Sequence, residues 1–165
     1  MRVPVFTIET PAAGRLATMA HPRGGSRLRP ELDRLRAAGV DVLVSALTEQ
    51  EYGYLGLTDE GSVAEEAGLE FVSHPIEDTG TPLRMQPVLE LSGRLAAQVR
   101  EGRFLVAHCW AGIGRSSMLA GSVLVRLGVA PEEAWRRIRA ARGLTVPDNR
   151  AQERWLYEFA EAASA

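Results

Sequence analysis

The sequence predicts an α/β fold: a central, mostly parallel sheet flanked by helices and preceded by an N-terminal hairpin. Three observations lead there. Short apolar, β-branched runs alternate with longer segments of helical apolar period. Glycine or proline punctuates most of the junctions between them. The run Val40–Ala46 is short, apolar and strand-like, as a strand in the middle of a sheet would be.

Each element follows in order. Val3–Ile8 is apolar and β-branched, Pro11 and Gly14 interrupt it, and Arg15–Met19 resumes it, which makes the hairpin. His21–Arg29 is a loop rich in Gly, Arg and Pro. Pro30 opens a helix over Glu31–Ala38, and Gly39 stops it. After the strand Val40–Ala46, Thr48 caps a helix through Glu51 in a Thr-x-x-Glu arrangement. A helix over Ser62–Ala67 ends at Gly68, and Leu69–Ser73 is a strand. His74–Pro82 is turn-rich. Met85–Arg100 is a long amphipathic helix closed by Gly102, and Phe104–Ala107 is a core strand. Three helices complete the chain: Arg115–Leu127, ended by Gly128; Pro131–Arg142, opened by its proline; and Asp148–Ala162, opened by Asp148. Trp135, Trp155, Tyr157 and Phe159 fall at helical spacings and are expected in the core.

Composition narrows the class. A length of 165 residues suits a single domain over 1–165, large enough to bury a core without staples. A net charge of -2 gives no bulk field for nucleic acid or an anionic membrane, so neither is expected as a partner. All 19 basic residues are arginine. One cysteine, Cys109, excludes an internal disulfide, and a lone thiol suits a reducing cytoplasm. No apolar run approaches the roughly 18 residues of a membrane span, and the N-terminus lacks the apolar stretch of a signal peptide. The expectation is a cytoplasmic monomer.

The chemistry is concentrated in His108-Cys109-Trp110-Ala111-Gly112-Ile113-Gly114-Arg115-Ser116. A strand delivers Cys109 to the carboxyl edge of the sheet, where α/β proteins place ligands. The loop then enters a helix, so the amides of Trp110, Ala111, Gly112, Ile113 and Gly114 can converge on one anion beside the helix N-terminus. Gly112 and Gly114 permit the tight curl. Arg115 adds a planar fork for two phosphate oxygens. Thiols aimed at a helix N-terminus beside an arginine ionise readily, and a thiolate is a competent nucleophile on phosphorus. His108 is placed to orient the loop, and Ser116 to donate to the Cys109 sulfur. A Walker-type nucleotide loop fits less well, because Cys109 and Arg115 stand where it needs glycine and lysine.

This segment closely resembles the signature of the cysteine-dependent protein tyrosine phosphatases, His-Cys-x5-Arg-Ser/Thr. The resemblance implies a three-layer α/β/α fold with Cys109 as nucleophile, Arg115 as phosphate clamp and Ser116 as helper of the leaving thiolate. Trp110 stands where tyrosine-specific members commonly carry serine.

Ester cleavage also needs a proton for the leaving oxygen, usually from a carboxylic acid on a mobile loop. Asp78, in His74-Pro-Ile-Glu-Asp-Thr-Gly-Thr-Pro82, is the candidate, and the adjacent Glu77 is its direct rival. Pro75, Ile76, Asp78 and Pro82 are similar to the Pro-Ile-x-Asp-x-x-x-Pro spelling of the compact dual-specificity and kinase-associated branch. The same resemblance suggests Gln152 as the residue that orients the hydrolytic water; the alternative is a polar residue in the first turn of a helix. Arg23 reaches either the pocket mouth or solvent. Tyr52 and Tyr54 are candidate pocket walls. His21 and His74 are isolated, so no metal and no other cofactor is expected.

The expected function is phosphomonoester hydrolysis through a cysteinyl-phosphate. The partner is a phosphorylated protein or a small phosphomonoester. Two alternatives stand beside it: a phosphatase of a non-protein ester (inositol phosphate, phospholipid, sugar phosphate or nucleotide), and a non-catalytic phospho-binding module. An arsenate reductase would need further thiols.

Overall fold

The computed structural model of the chain describes residues 3–165. Five strands form one sheet: β1 (Val5–Ile8), β2 (Arg15–Met19), β3 (Val42–Ser45), β4 (Glu70–Ser73) and β5 (Phe104–His108). Their order across the sheet is β1-β2-β5-β3-β4. β1 and β2 pair antiparallel as a hairpin at one edge, and the other pairs are parallel. The expected mixed, mostly parallel α/β sheet is therefore present.

Among the described residues seven α-helices cover it: α1 (Leu28–Ala37), α2 (Glu49–Leu55), α3 (Glu60–Glu66), α4 (Met85–Arg100), α5 (Arg115–Arg126), α6 (Pro131–Arg142) and α7 (Arg150–Ser164). Strand side chains alternate between two cores, as a period of two requires. Leu16, Val42, Val44, Leu105 and Ala107 face α4 to α7. Ala17, Met19, Leu43 and Val106 face α1 and α3. Central strands with both faces buried leave no polar face, which is why Val42–Val44 is continuously apolar.

The register of the parallel strands assembles the site. Ser45 lies opposite both His108 and Ser73. The segments that follow β3, β4 and β5 therefore leave the sheet at one edge. These carry, respectively, Thr48 and Glu51, the Asp78 loop, and the cysteine loop.

Several boundaries differ from expectation for identifiable reasons. α1 begins at Leu28, so Pro30 lies in its first turn. Its missing N–H has no intrahelical partner there. α3 begins at Glu60. α7 begins at Arg150, because Asn149 and not Asp148 is its cap; the Asn149 side chain accepts the Gln152 N–H. Tyr157 is not a core residue and is 42% exposed. Trp155 and Phe159, four residues apart, stack on the core face of α7, and a residue two positions along points away from it. Among the described residues no helix is long and apolar enough to cross a membrane.

Candidate active site

β5 ends at His108, and the chain turns through Cys109–Gly114 into α5. Gly112 has φ +71°, and a Cβ there would lie 2.7 Å from the Met19 carbonyl carbon. Backbone conformation and close packing both demand glycine at this point. The loop carbonyls have partners in the surrounding protein. Trp110 O accepts from the His21 N–H, Gly114 O from the Met118 N–H, and Ala111 O and Gly112 O from the Arg142 guanidinium. No amide from Trp110 to Ser116 donates to another described residue. Donors left without a protein partner beside a helix N-terminus are what an anion nest needs.

Cys109 is buried on the cavity floor, its Sγ 3.3 Å from Ser116 Oγ. His108 lies fully buried behind it. Its Nδ1 is 3.2 Å from Cys109 O, and its Nε2 is 2.6 Å from Glu60 Oε2. A carbonyl accepts only, so Nδ1 carries a proton, and a second proton sits between Nε2 and the carboxylate. Burial alone pushes the imidazolium down; the charge and hydrogen bond of Glu60 outweigh it, and the His108 pKa is raised.

Arg115 is also buried. Its Nη1 and Nη2 donate to Glu51 Oε1 and Oε2 at 2.7 and 2.9 Å, a bidentate pair. Nη1 also donates to Ile76 O at 2.9 Å, and Nη2 lies 3.2 Å from Asp78 Oδ1. Glu51 further accepts the Thr48 N–H, completing the expected capping box. Burial pushes the Glu51 carboxyl up, but Arg115 and the Thr48 N–H prevail and hold it below the usual carboxylate range. By sequence Glu51 reads only as part of a cap. The signal that could have found it is a carboxylate just past a central strand of a fold that also buries an arginine at that edge.

The Asp78 loop is held differently. Asp78 is 64% exposed on its side chain. Its Oδ1 accepts the Thr79 N–H, and Thr79 adopts φ +61°, unusual for a β-branched residue. Asn149 Nδ2 donates to Thr79 O at 2.9 Å and Gln152 Nε2 to Gly80 O at 3.0 Å. Gln152 Oε1 accepts the Asp148 N–H. Both ends of the Gln152 amide are thus bonded to backbone, and its buried side chain does not line the cavity. Asp148 does line it, pressed so closely on Gly114 that a Cβ there would fall 2.0 Å from Asp148 Oδ2. Burial and then the charge of Asp78 raise the Asp148 pKa. By sequence Asp148 reads as a helix cap only.

The cavity measures about 530 Å³. Cys109, Ala111, Gly114 and Arg115 line it together with Thr48, Glu51, Glu77 and Asp78. Two exposed aromatics, Trp110 at 41% and Tyr54 at 80%, border it. Among the described residues lining it Arg115 is the one cation, against Glu51, Glu77, Asp78 and Asp148. Gly112 and Ile113 lie in the loop but not on the cavity wall. Arg23 pairs with Glu31 away from the cavity. Tyr52 donates to Ser45 Oγ at the end of β3. The His21 ring meets the Trp110 indole edge-on, at 5.8 Å between centroids.

Comparison with known proteins places this arrangement in context. Cyclin-dependent kinase inhibitor 3 of Rattus norvegicus is 25% identical over 140 residues, covering 84% of this chain. The Homo sapiens protein of the same name is also 25% identical, and the chain spans 66% of the length of each. Among solved structures, kinase associated phosphatase (with its catalytic-site cysteine changed to serine) superposes with a TM-score of 0.90. It shares 21% identity, with 100% of this chain and 98% of that one covered. Tk-PTP in its active form gives a TM-score of 0.76 at 27% identity, covering 95% and 96%. A family model described as Tc-R-P, polymorphic toxin system, DSP-PTPase phosphatase, matches residues 17–129, a span from β2 to the end of α5 that holds both the Asp78 loop and the cysteine loop. The chain belongs to that DSP-PTPase phosphatase family.

Proposed function

We propose that the protein hydrolyses phosphomonoesters through a cysteinyl-phosphate, acting on phosphorylated tyrosine or a similar ester carried by a protein. The observation that carries this reading is the placement of Arg115. Its buried guanidinium joins Glu51, Ile76 O and Asp78 on the wall of the cavity that also holds Cys109 and the loop residues Trp110, Ala111 and Gly114, whose amides have no described partner.

In the reaction the phosphate dianion takes the loop amides and the outer edge of Arg115, displacing Asp78 from the guanidinium. These donors stabilise charge on the equatorial oxygens of the in-line transition state. The Cys109 thiolate sulfur forms a bond to phosphorus as the ester P–O bond breaks, and Asp78, having taken a proton from solvent once the phosphate displaces it from Arg115, gives that proton to the leaving oxygen. Water then attacks phosphorus while Asp78 takes its proton, the S–P bond breaks, and phosphate departs. Ser116 Oγ, in hydrogen-bond reach of Sγ, stabilises the thiolate that leaves in this second step. Asp78 is preferred to Glu77 as the acid because its carboxyl sits beside the Arg115 fork proposed to hold the phosphate, and is freed there when the phosphate takes its place.

The substrate class rests on the walls. Four acids beside one cation disfavour a multiply phosphorylated ring, and the exposed Trp110 and Tyr54 suit an aromatic ester. The names of the relatives, a kinase inhibitor and a kinase associated phosphatase, favour a phosphorylated protein over a small ester. The presence of Cys109, Arg115 and Asp78 at one cavity favours an enzyme over a binding module.

The test is hydrolysis of p-nitrophenyl phosphate by the Cys109→Ser variant. Turnover is expected to fall by about 10⁴-fold or more while orthovanadate still binds. A variant as active as the wild type would remove Cys109 from the mechanism. A parallel panel of phosphotyrosine peptide, phosphothreonine peptide and inositol phosphates ranks the substrates.

A further inference from the structure

Gln152 stands where the family resemblance expects a side chain that orders the hydrolytic water, yet its amide is spent elsewhere. Nε2 donates to Gly80 O at 3.0 Å and Oε1 accepts from the Asp148 N–H at 2.9 Å. The side chain is fully buried and absent from the cavity wall. One turn earlier, Asn149 Nδ2 donates to Thr79 O at 2.9 Å, while Asn149 Oδ1 accepts the Gln152 N–H as helix cap. Two consecutive carbonyls of the Asp78 loop are thus gripped by the first turn of α7.

The loop needs an external grip. Within residues 77–80 its own bonds are the Gly80 N–H to Glu77 O contact and the Asp78–Thr79 contacts. Thr79 is held at φ +61°, a conformation that a β-branched residue keeps only when its surroundings over-determine it. Asp78 is largely exposed, so packing does not fix it. Arg115 holds the loop on the cavity side through Ile76 O and Asp78, and α7 holds it on the other.

We propose that Asn149 and Gln152 are positioning residues that clasp the Asp78 loop over the phosphate cradle. Gln152 then serves the first step, protonation of the leaving group by Asp78, and not the placement of water in the second. This rests on the phosphatase reading above. The match to the family model ends at residue 129, so the clasp comes from a part of the chain outside it.

The two roles separate kinetically. kcat/KM reports only the steps up to transfer of the phosphoryl group to sulfur, so a residue acting on water alone leaves it unchanged. A lost proton donor hurts esters with poor leaving groups most. The experiment measures kcat/KM of Asn149→Ala, Gln152→Ala and Gln152→Glu on phenyl phosphate and on p-nitrophenyl phosphate, with Asp78→Asn as reference. Gln152→Glu keeps shape and acceptor and removes the donor to Gly80 O. All three variants are expected to lose about 10-fold on phenyl phosphate and under about 3-fold on p-nitrophenyl phosphate, a smaller version of the Asp78→Asn pattern. Amide hydrogen exchange over residues 77–83 is expected to quicken in each while the rest of the chain keeps its protection.

Unchanged kcat/KM with a burst of p-nitrophenol in Gln152→Ala would assign Gln152 to water and overturn the clasp. So would equal losses on both esters, or exchange at 77–83 that matches the wild type. A wild-type protein that hydrolyses neither ester would instead refute the phosphatase reading, and the exchange measurement would still decide whether the clasp exists.

Discussion

The cysteine loop and the Asp78 loop meet over one arginine, yet the protein secures them by opposite means. His108, Cys109, Arg115 and Ser116 are buried, and the charges among them face charges: Glu60 behind His108, Glu51 along Arg115. Asp78 is exposed, Thr79 is strained, and past the buried Ile76 the loop is held through hydrogen bonds donated to its carbonyls by Asn149 and Gln152, with Arg115 on Ile76 O. The half that carries the proposed nucleophile is part of the core. The half that carries the proposed proton donor is attached from outside by a few hydrogen bonds, and segments of that kind open at little cost. A loop proposed to meet a substrate and release a product suits the second class.

The largest effect is expected where the two halves share a residue. Arg115→Lys keeps the charge but loses the fork. One ammonium cannot hold both Glu51 oxygens and Ile76 O while also receiving two phosphate oxygens. kcat/KM for p-nitrophenyl phosphate is expected to fall by about 10³-fold. Amide exchange at residues 77–80 is expected to accelerate with it, because Arg115 holds the loop through Ile76 O and Asp78. An unchanged exchange rate there would show that α7 alone carries the loop, and the comparison would sharpen into two independent halves.

The same contrast explains what the sequence disclosed. The cradle was legible because its requirements are local: a strand, two glycines, a cysteine and an arginine must occur at fixed spacing, and Cys109–Arg115 do. The strands and helices were legible because burial on both faces of a central sheet writes itself as apolar runs between glycines. The residues that hold the cradle were not. Glu60 and Glu51 come from the segments after β3, and only the parallel register that sets Ser45 beside His108 brings them to the site. Asn149 takes the cap expected of Asp148. Either can cap a helix by sequence, and the choice was made by the space beside Gly114 and by the carbonyl of Thr79.

Glu60→Gln tests whether the cradle is secured by paired charge. Because the native His108 pKa is raised, the pair's stabilisation is full below the unfolded imidazole pKa of about 6.5. It is lost as pH rises through the raised native value. Replacing the carboxylate is expected to cost about 3 kcal/mol at pH 6, read from urea unfolding, and progressively less at alkaline pH. A cost that does not vary with pH would mean that His108 is held by shape and hydrogen bonding alone. The neutral pair would then join the acid loop as a polar contact and not an ionic one.

Asp148→Asn gives the smallest effect and the opposite sign. Asp148 faces Asp78 across the cavity, and burial and that neighbour raise its pKa. Between the ordinary carboxylate value of about 3.9 and the raised native one, the folded state binds more protons than the unfolded. Stability therefore falls as pH climbs through that window, and the cost persists at neutrality. An uncharged amide at this position carries no such cost, so the variant is expected to melt at a higher temperature than wild type at pH 7 and at the same temperature near pH 3.5. In an Asp78→Asn background the gain should shrink, since one source of the repulsion is gone. A variant that melts lower at pH 7 would mean that attraction to Arg115 outweighs burial and repulsion, and that Asp148 secures the acid side as Glu51 secures the cradle. The expected gain instead marks the acid side as the place where the fold tolerates unfavourable charge, beside an exposed carboxyl on a loop held from outside.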